Sequence, residues 1–290
     1  MPRQLARKLK RFNSFTRRYA KNPAACLGFA VLLSFVVLAL IGPIIAPYDP
    51  YEIVWGPFEP PNSAFLMGTD NIGRDVASGV LRGIGITLMI GSLAAATGVG
   101  IGILIGCFAG YTGGVVDDVL MRFGDVIMTL PSFVLALVFV ALFGASVWNI
   151  IIVIGVLFWT RTARIVRAEF LSIKEREYVT AAKALGKTNL RIMFGDILPN
   201  ALPPTIVVGS LEVATAVLYE SSLSFLGLGD PKMMSLGFML YAAQSYLRRA
   251  YWMMLFPGLS ILLIVLAVNL VGDGLNDALN PKLREYNVEA

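Results

Sequence analysis

The sequence predicts an all-α, polytopic membrane protein with six transmembrane helices and both termini in the cytoplasm. Three observations predict it. Hydrophobic residues make up 57% of the 290 and charged residues only 15%, where a soluble domain carries about 45–50% and about 25%. The apolar residues fall in separate runs long enough to span a bilayer. The basic residues gather in blocks between those runs instead of spreading evenly, as the positive-inside rule requires of cytoplasmic segments.

The chain has no histidine. That excludes Ser-His-Asp and Cys-His nucleophilic sites, His-based metal sites and His proton relays together. Cys26 and Cys107 both lie in apolar runs with no CxxC pair, so they are expected to be small buried hydrophobes. No metal site is expected. The formal charge of +5 follows the membrane boundaries, which points to lipid headgroups and not to nucleic acid.

Residues 1–23 hold Arg3, Arg7, Lys8, Lys10, Arg11, Arg17, Arg18 and Lys21 with no acidic residue. Leu5, Leu9, Phe12, Phe15 and Tyr19 recur at helical spacing, so this cytoplasmic segment reads as a basic amphipathic helix on an anionic leaflet or as a solvated basic tail. Asn22-Pro23 breaks it. Residues 24–45 are apolar and uncharged and form the first span, too long for a cleaved signal h-region.

Residues 46–82 are Pro-rich and poor in Lys and Arg, hence an extracytoplasmic loop. Within it GTDNIGRD (68–75) is a turn-rich patch expected to fold back on the membrane surface. From 83 to 284 runs a core with five further spans. The second is about 84–108, where Ala94, Gly98, Gly102, Gly106 and Gly110 repeat every fourth residue. Small residues on one face let two helix backbones approach in lipid, so these glycines are candidates for helix packing.

Asp117, Asp118, Arg122 and Asp125 read as a polar interfacial helix start. The third span is expected at 126–143 with a kink at Pro131, and the fourth at 150–160. A second basic block follows, from Arg161 to Arg191, and must be cytoplasmic. The fifth span is expected at 198–219, a loop at 220–250, the sixth at 255–271, and a cytoplasmic tail at 285–290.

The stretch from 172 to 199 is the anomaly, a charged, Ala-rich run between apolar segments. Ser172 and Glu175 fit a capping box that would open a helix over 173–185, roughly 20 Å long. Gly186 is its stop, and Thr188 is placed to cap a second short helix. Such an element, hung below the bilayer, suits a groove on a partner protein.

Ala181-Ala182-x-x-x-Gly186 followed by Leu198-Pro199 resembles the EAA loop of the permease subunits of bacterial and archaeal ABC importers. GTDNIGRD (68–75), AGYTGG (109–114), ILPNALP (197–203), ESSLSFLG (220–227) and NLVGDGLNDAL (269–279) extend the resemblance from about residue 22 to 284 and narrow it to the C-type subunit of the dipeptide/oligopeptide/nickel group. The sequence departs from that pattern at Thr180 (Glu in the family), Asp196 (Ile), and Asn276 and Asn280 (often Arg and Asp).

The resemblance implies a prokaryotic cytoplasmic-membrane permease paired with a homologous B-type permease. It also implies two ATPase subunits and an extracytoplasmic substrate-binding protein, with no catalysis in this chain. ATP and Mg would sit on the partner subunits, and no GxxxxGK[ST] loop occurs here. Coupling to the ATPases would involve Glu177, Thr180, Ala181, Ala182, Lys183 and Gly186, with docking on the Ala181/Ala182 face. Glu212 is a carboxylate deep in the fifth span, a candidate either for lining the path or for a structural contact. Di- and oligopeptides lead as substrates, ahead of nickel chelates, glutathione or oligosaccharides. A secondary transporter or channel would instead call for several membrane carboxylates and internal repeats.

Overall fold

The computed structural model describes residues 16–279. Most of the basic segment 1–23, the tail 285–290 and the departure at Asn280 fall outside the described residues. Nine helices are named here: α1 (Pro23–Ile45), α2 (Val76–Thr112), α3 (Gly114–Thr129), α4 (Ser132–Phe143), α5 (Val147–Lys174), α6 (Glu177–Ala184), α7 (Asn189–Leu228), α8 (Leu236–Ala243) and α9 (Trp252–Leu279). Among the described residues the only extended pairing is an isolated bridge between Thr69 and Asp75.

Five helices, α1, α2, α5, α7 and α9, are long and apolar enough to cross a membrane. The pair α3–α4 passes the same test together and, bent by 84°, is the candidate for the sixth crossing. The expected third span at 126–143 is therefore not one kinked helix but two helices that meet nearly at right angles. Pro131 has no N–H to continue the ladder, and the residue before a proline is pushed out of helical geometry. Leu130 is accordingly extended, at φ −94° and ψ 140°.

Asn22 does more than end the preceding segment. Its side chain accepts from the Ala25 N–H at 3.1 Å and Pro23 occupies the first turn, so Asn22-Pro23 starts the first span. Its amide also donates to Asp277 at 3.0 Å, tying α1 to α9. Cys107 is buried as expected, whereas Cys26 is exposed on α1.

The region between α1 and α2 is an ordered cap. Asp70 accepts from the backbone of Ile72 and Arg74, both at 2.9 Å, and from Arg74 Nε at 2.7 Å. Asp75 caps α2 by accepting from Ser78 N at 2.8 Å and Ser78 Oγ at 2.6 Å. The buried Trp252 indole donates to the Thr69 carbonyl at 3.0 Å, so α9 holds this patch down. The second span begins with this cap at Val76, earlier than the expected 84.

The centre of the bundle is the α2–α5 contact. A Cβ on Gly102 would lie 2.6 Å from Thr162 Cβ and 2.8 Å from the Trp159 carbonyl. On Gly106 it would lie 2.6 Å from the Ala163 carbonyl, and Gly98 and Gly110 face Phe158 and Phe170 in the same way. Only hydrogen fits between these backbones.

The expected loop at 220–250 is largely helical: α7 runs on to Leu228, Gly227 (φ 85°) turns the chain, and α8 follows. Glu220 therefore sits inside a helix, 1% exposed, accepting from Ser224 Oγ at 2.9 Å and Ser221 Oγ at 3.3 Å. Its charge marks a loop in the sequence, but neighbouring hydroxyls satisfy it within the fold.

Gly106→Leu is expected to abolish a cooperative melt of the purified chain in detergent, since backbone and Val166 leave no room. Gly100, with nothing within 4 Å, serves as the control. Gly100→Ala should shift stability by no more than about 0.5 kcal/mol.

Candidate functional site

The cytoplasmic element differs from the expected helix over 173–185. Val166, Phe170 and Ile173 are fully buried along one face of α5, and this packing carries α5 through Ser172 to Lys174. Ser172 therefore caps nothing, and α5 extends well beyond the expected end at 160. Arg176 occupies the cap of α6 without a side-chain bond, and α6 has 8 residues, about 12 Å long. Thr188 precedes the next helical turn but likewise makes no side-chain cap bond.

Helix α6 splits the expected docking residues. Val179 (0% exposed) and Ala182 (5%) pack into a cluster with Cys107, Tyr111, Phe170 and Met193. Glu177, Thr180, Ala181 and Lys183 face outward. Ala182 is thus unavailable to a partner, contrary to the expected Ala181/Ala182 docking face. The helix seats one face on the membrane bundle because Ala182 is small and Val179 lies three residues before it.

The turn at Gly186 is a Schellman motif. Gly186 N–H donates to the Lys183 carbonyl at 3.0 Å and Lys187 N–H to the Ala182 carbonyl at 3.2 Å, with Gly186 at φ 73°. Lys187 Nζ then reaches both carboxylate oxygens of Asp196 at 3.0 Å. The departure from the family pattern at Asp196 thus supplies a brace across the turn. Tyr111 Oη donates to Asn189 Oδ1 at 2.8 Å, and the ammonium groups of Lys174 and Lys183 both stand 5.9 Å from the Tyr111 ring.

What the turn presents is apolar. Leu185, at the tip, is 82% exposed, and Leu190 and Tyr178 are also exposed. Sequence reasoning missed Leu185, although a leucine placed directly before the helix-stopping glycine of a charged helix was a signal. It also missed the partners of the α3 carboxylates: Arg167 holds Asp117 with two bonds of 2.5 and 2.6 Å, and Arg164 holds Asp125 at 2.5 Å. Those pairs bring α3 against the cytoplasmic half of α5.

The second feature lies within the bundle. Glu212 on α7 is 3% exposed; Thr162 Oγ1 donates to its Oε1 at 2.8 Å, and its Oε2 has no hydrogen-bond partner. It lines an open cleft of about 250 Å³ together with Ser132, Thr160, Arg161, Thr215 and Tyr219. Among the described residues no group of three or more Cys, Asp or Glu side chains is arranged to hold a metal ion.

Residues 102–285 match the family model for the binding-protein-dependent transport system inner membrane component, and residues 11–61 match that for the N-terminal transmembrane domain of oligopeptide transport permease C. The chain belongs to the binding-protein-dependent transport permease family. It is an inner-membrane component of that transport machinery.

The di/tripeptide transport system permease protein DppC of Pseudomonas aeruginosa (strain UCBPP-PA14) is 39% identical over 278 residues, 93% of this chain and 92% of the relative. The dipeptide transport system permease protein DppC of Escherichia coli (strain K12) is 40% identical over 279 residues, 93% of each. Among solved structures, an inward-facing conformation of the MetNI methionine ABC transporter superposes with a TM-score of 0.57 at 20% identity, covering 70% of this chain and 96% of that one. At that identity the likeness speaks to the permease fold alone.

Gly186→Val is expected to destabilise the α6 turn by about 1–2 kcal/mol, because a β-branched residue is strained at positive φ. Amide exchange over 177–187 should speed up roughly tenfold. Asp196→Ala, which removes a partly exposed pair, should cost less than about 1 kcal/mol by the same measurement.

Proposed function

We propose that the chain is the C-type permease subunit of an ATP-driven importer of di- and oligopeptides. It forms half of the translocation path with a homologous B-type permease. Two cytoplasmic ATPase subunits bind ATP and Mg, hydrolyse the nucleotide and grip α6. An extracytoplasmic substrate-binding protein delivers the peptide. The peptide assignment is supported by relatives of near-equal length named as dipeptide permeases.

The observation that carries the coupling role is the way α6 is mounted. Its inner face belongs to one packed cluster with Cys107 and Tyr111 of α2, Phe170 and Ile173 of α5, and Ile192 and Ile197 of α7. Close-packed interiors transmit displacement instead of absorbing it. Closure of the ATPase pair against Leu185, with Glu177, Thr180, Ala181 and Lys183 around it, therefore moves α2, α5 and α7 together. Those three helices open the path alternately to each side. No reacting group is needed in this chain.

Leu185→Asp is expected to leave the chain inserted and paired with its permease partner. The same variant should lower binding-protein-stimulated ATP hydrolysis by at least about tenfold in proteoliposomes, since an apolar knob buried in a partner groove is replaced by a charge. Undiminished stimulation by dipeptide-loaded binding protein would sink the coupling role of this tip. The peptide reading itself is checked by uptake of a panel of dipeptides, nickel chelates and sugars by the complete complex.

A further inference from the structure

The Glu212 cleft is lined by two opposite charges, Glu212 and Arg161, that form no salt bridge with each other. Glu212 presents Oε2, buried and unpartnered, while Thr162 occupies Oε1. Arg161 lines the same cleft from α5, yet forms no salt bridge within 4.0 Å among the described residues. A buried carboxylate oxygen without a donor is rare in a native fold and calls for an explanation. Ionised groups at membrane depth face a bundle interior or a water-filled path.

Hydroxyls complete the lining of this cleft. Glu212, Thr215 and Tyr219 fall at i, i+3 and i+7 on α7, so they share one helix face and climb it over about 10 Å. Ser132, from the first turn of α4 beside the Pro131 break, and Thr160 of α5 face them. At about 250 Å³ the cleft sits just below the usual range of ligand pockets, roughly 300–1,000 Å³. It suits a small ligand, or one side of a larger one completed by the second permease. An acid with an unpartnered oxygen, an exposed guanidinium outside any salt bridge and hydroxyls on the same lining are complementary to a zwitterion.

We propose that this cleft is a charge-reading subsite on the path: Glu212 Oε2 accepts the α-ammonium of a passing short peptide and Arg161 binds its α-carboxylate. This rests on the peptide-importer reading above and deepens it. Thr162 acts as a positioning residue, holding Oε1 and leaving Oε2 for the ligand. Charge-assisted bonds of this kind discriminate by leaving a buried charge unpaired when the wrong ligand enters.

The test uses the complete permease–ATPase complex in nanodiscs without the binding protein, so that the permease's own selectivity is read. Saturation-transfer NMR is recorded with alanyl-alanine, its N-acetylated form and its C-terminal amide at millimolar concentration. The wild-type complex is expected to give a signal for alanyl-alanine that falls about tenfold when either terminus is blocked. Glu212→Gln should lower the alanyl-alanine signal to that of the acetylated peptide and leave the latter unchanged. Equal signals from the three peptides, or none from any, overturn the subsite, as does an assembled Glu212→Gln complex with an undiminished alanyl-alanine signal. The blocked-peptide comparison stands on wild-type protein even if the variant fails to assemble. Binding-protein-dependent uptake by the wild-type complex separates the two readings. Peptide import with charge-blind NMR removes only the subsite, and absence of peptide import removes the importer reading as well.

Discussion

The rest of the structure depends on the closeness of α2 and α5. Lipid is as apolar as leucine, so burying side chains does little to hold two membrane helices together, and dispersion at short backbone separation must do it. The glycines at 98, 102, 106 and 110 allow that approach, with the α5 backbone and side chains packed where their Cβ atoms would be. Several of the site residues lie on one of these two helices. Arg161, Thr162, Arg164 and Arg167 lie on α5, and the Tyr111 platform ends α2.

The same pair also carries the seat of α6. Residues 107 and 111 of α2 and 170 and 173 of α5 continue the contact and become the seat of α6. Helix α6 is too short to be stable alone, since isolated helices below about 12–15 residues are marginal in water. Its stability comes from Val179 and Ala182 docked in that seat, from the Gly186 turn and from the bonds of Lys187 and Asn189 to Asp196 and Tyr111. What remains outward is a short apolar tip on a stiff mount.

Polar groups within the bundle fall into two kinds. Asp117 and Glu220 are satisfied, the first by Arg167 and the second by hydroxyls, and they join elements of the fold. Glu212 keeps one oxygen unpartnered beside a cleft. In the sequence Glu212 lies deep in the fifth apolar run and Glu220 just past its end. Their partners separate them: Thr162 of α5 leaves one Glu212 oxygen without a donor, whereas serines of α7 itself satisfy Glu220.

The sequence by itself determined the membrane class, the crossings, the side on which 161–191 lies and the glycine face, because hydropathy, charge asymmetry and four-residue periodicity are local properties. It could also place the stop at Gly186, whose positive φ suits glycine wherever the helix ends. It could not decide where α5 stops: Ser172 offers a cap, but Phe170 and Ile173 gain more by staying helical against α2 and α7. Nor could it assign Ala181 and Ala182 to opposite environments, or turn the Pro131 kink into an 84° bend. Those outcomes are set by what each side chain meets across the bundle. Contacts between residues fifty positions apart, such as Asp117 with Arg167 and Thr162 with Glu212, exist only once the backbones have been brought together.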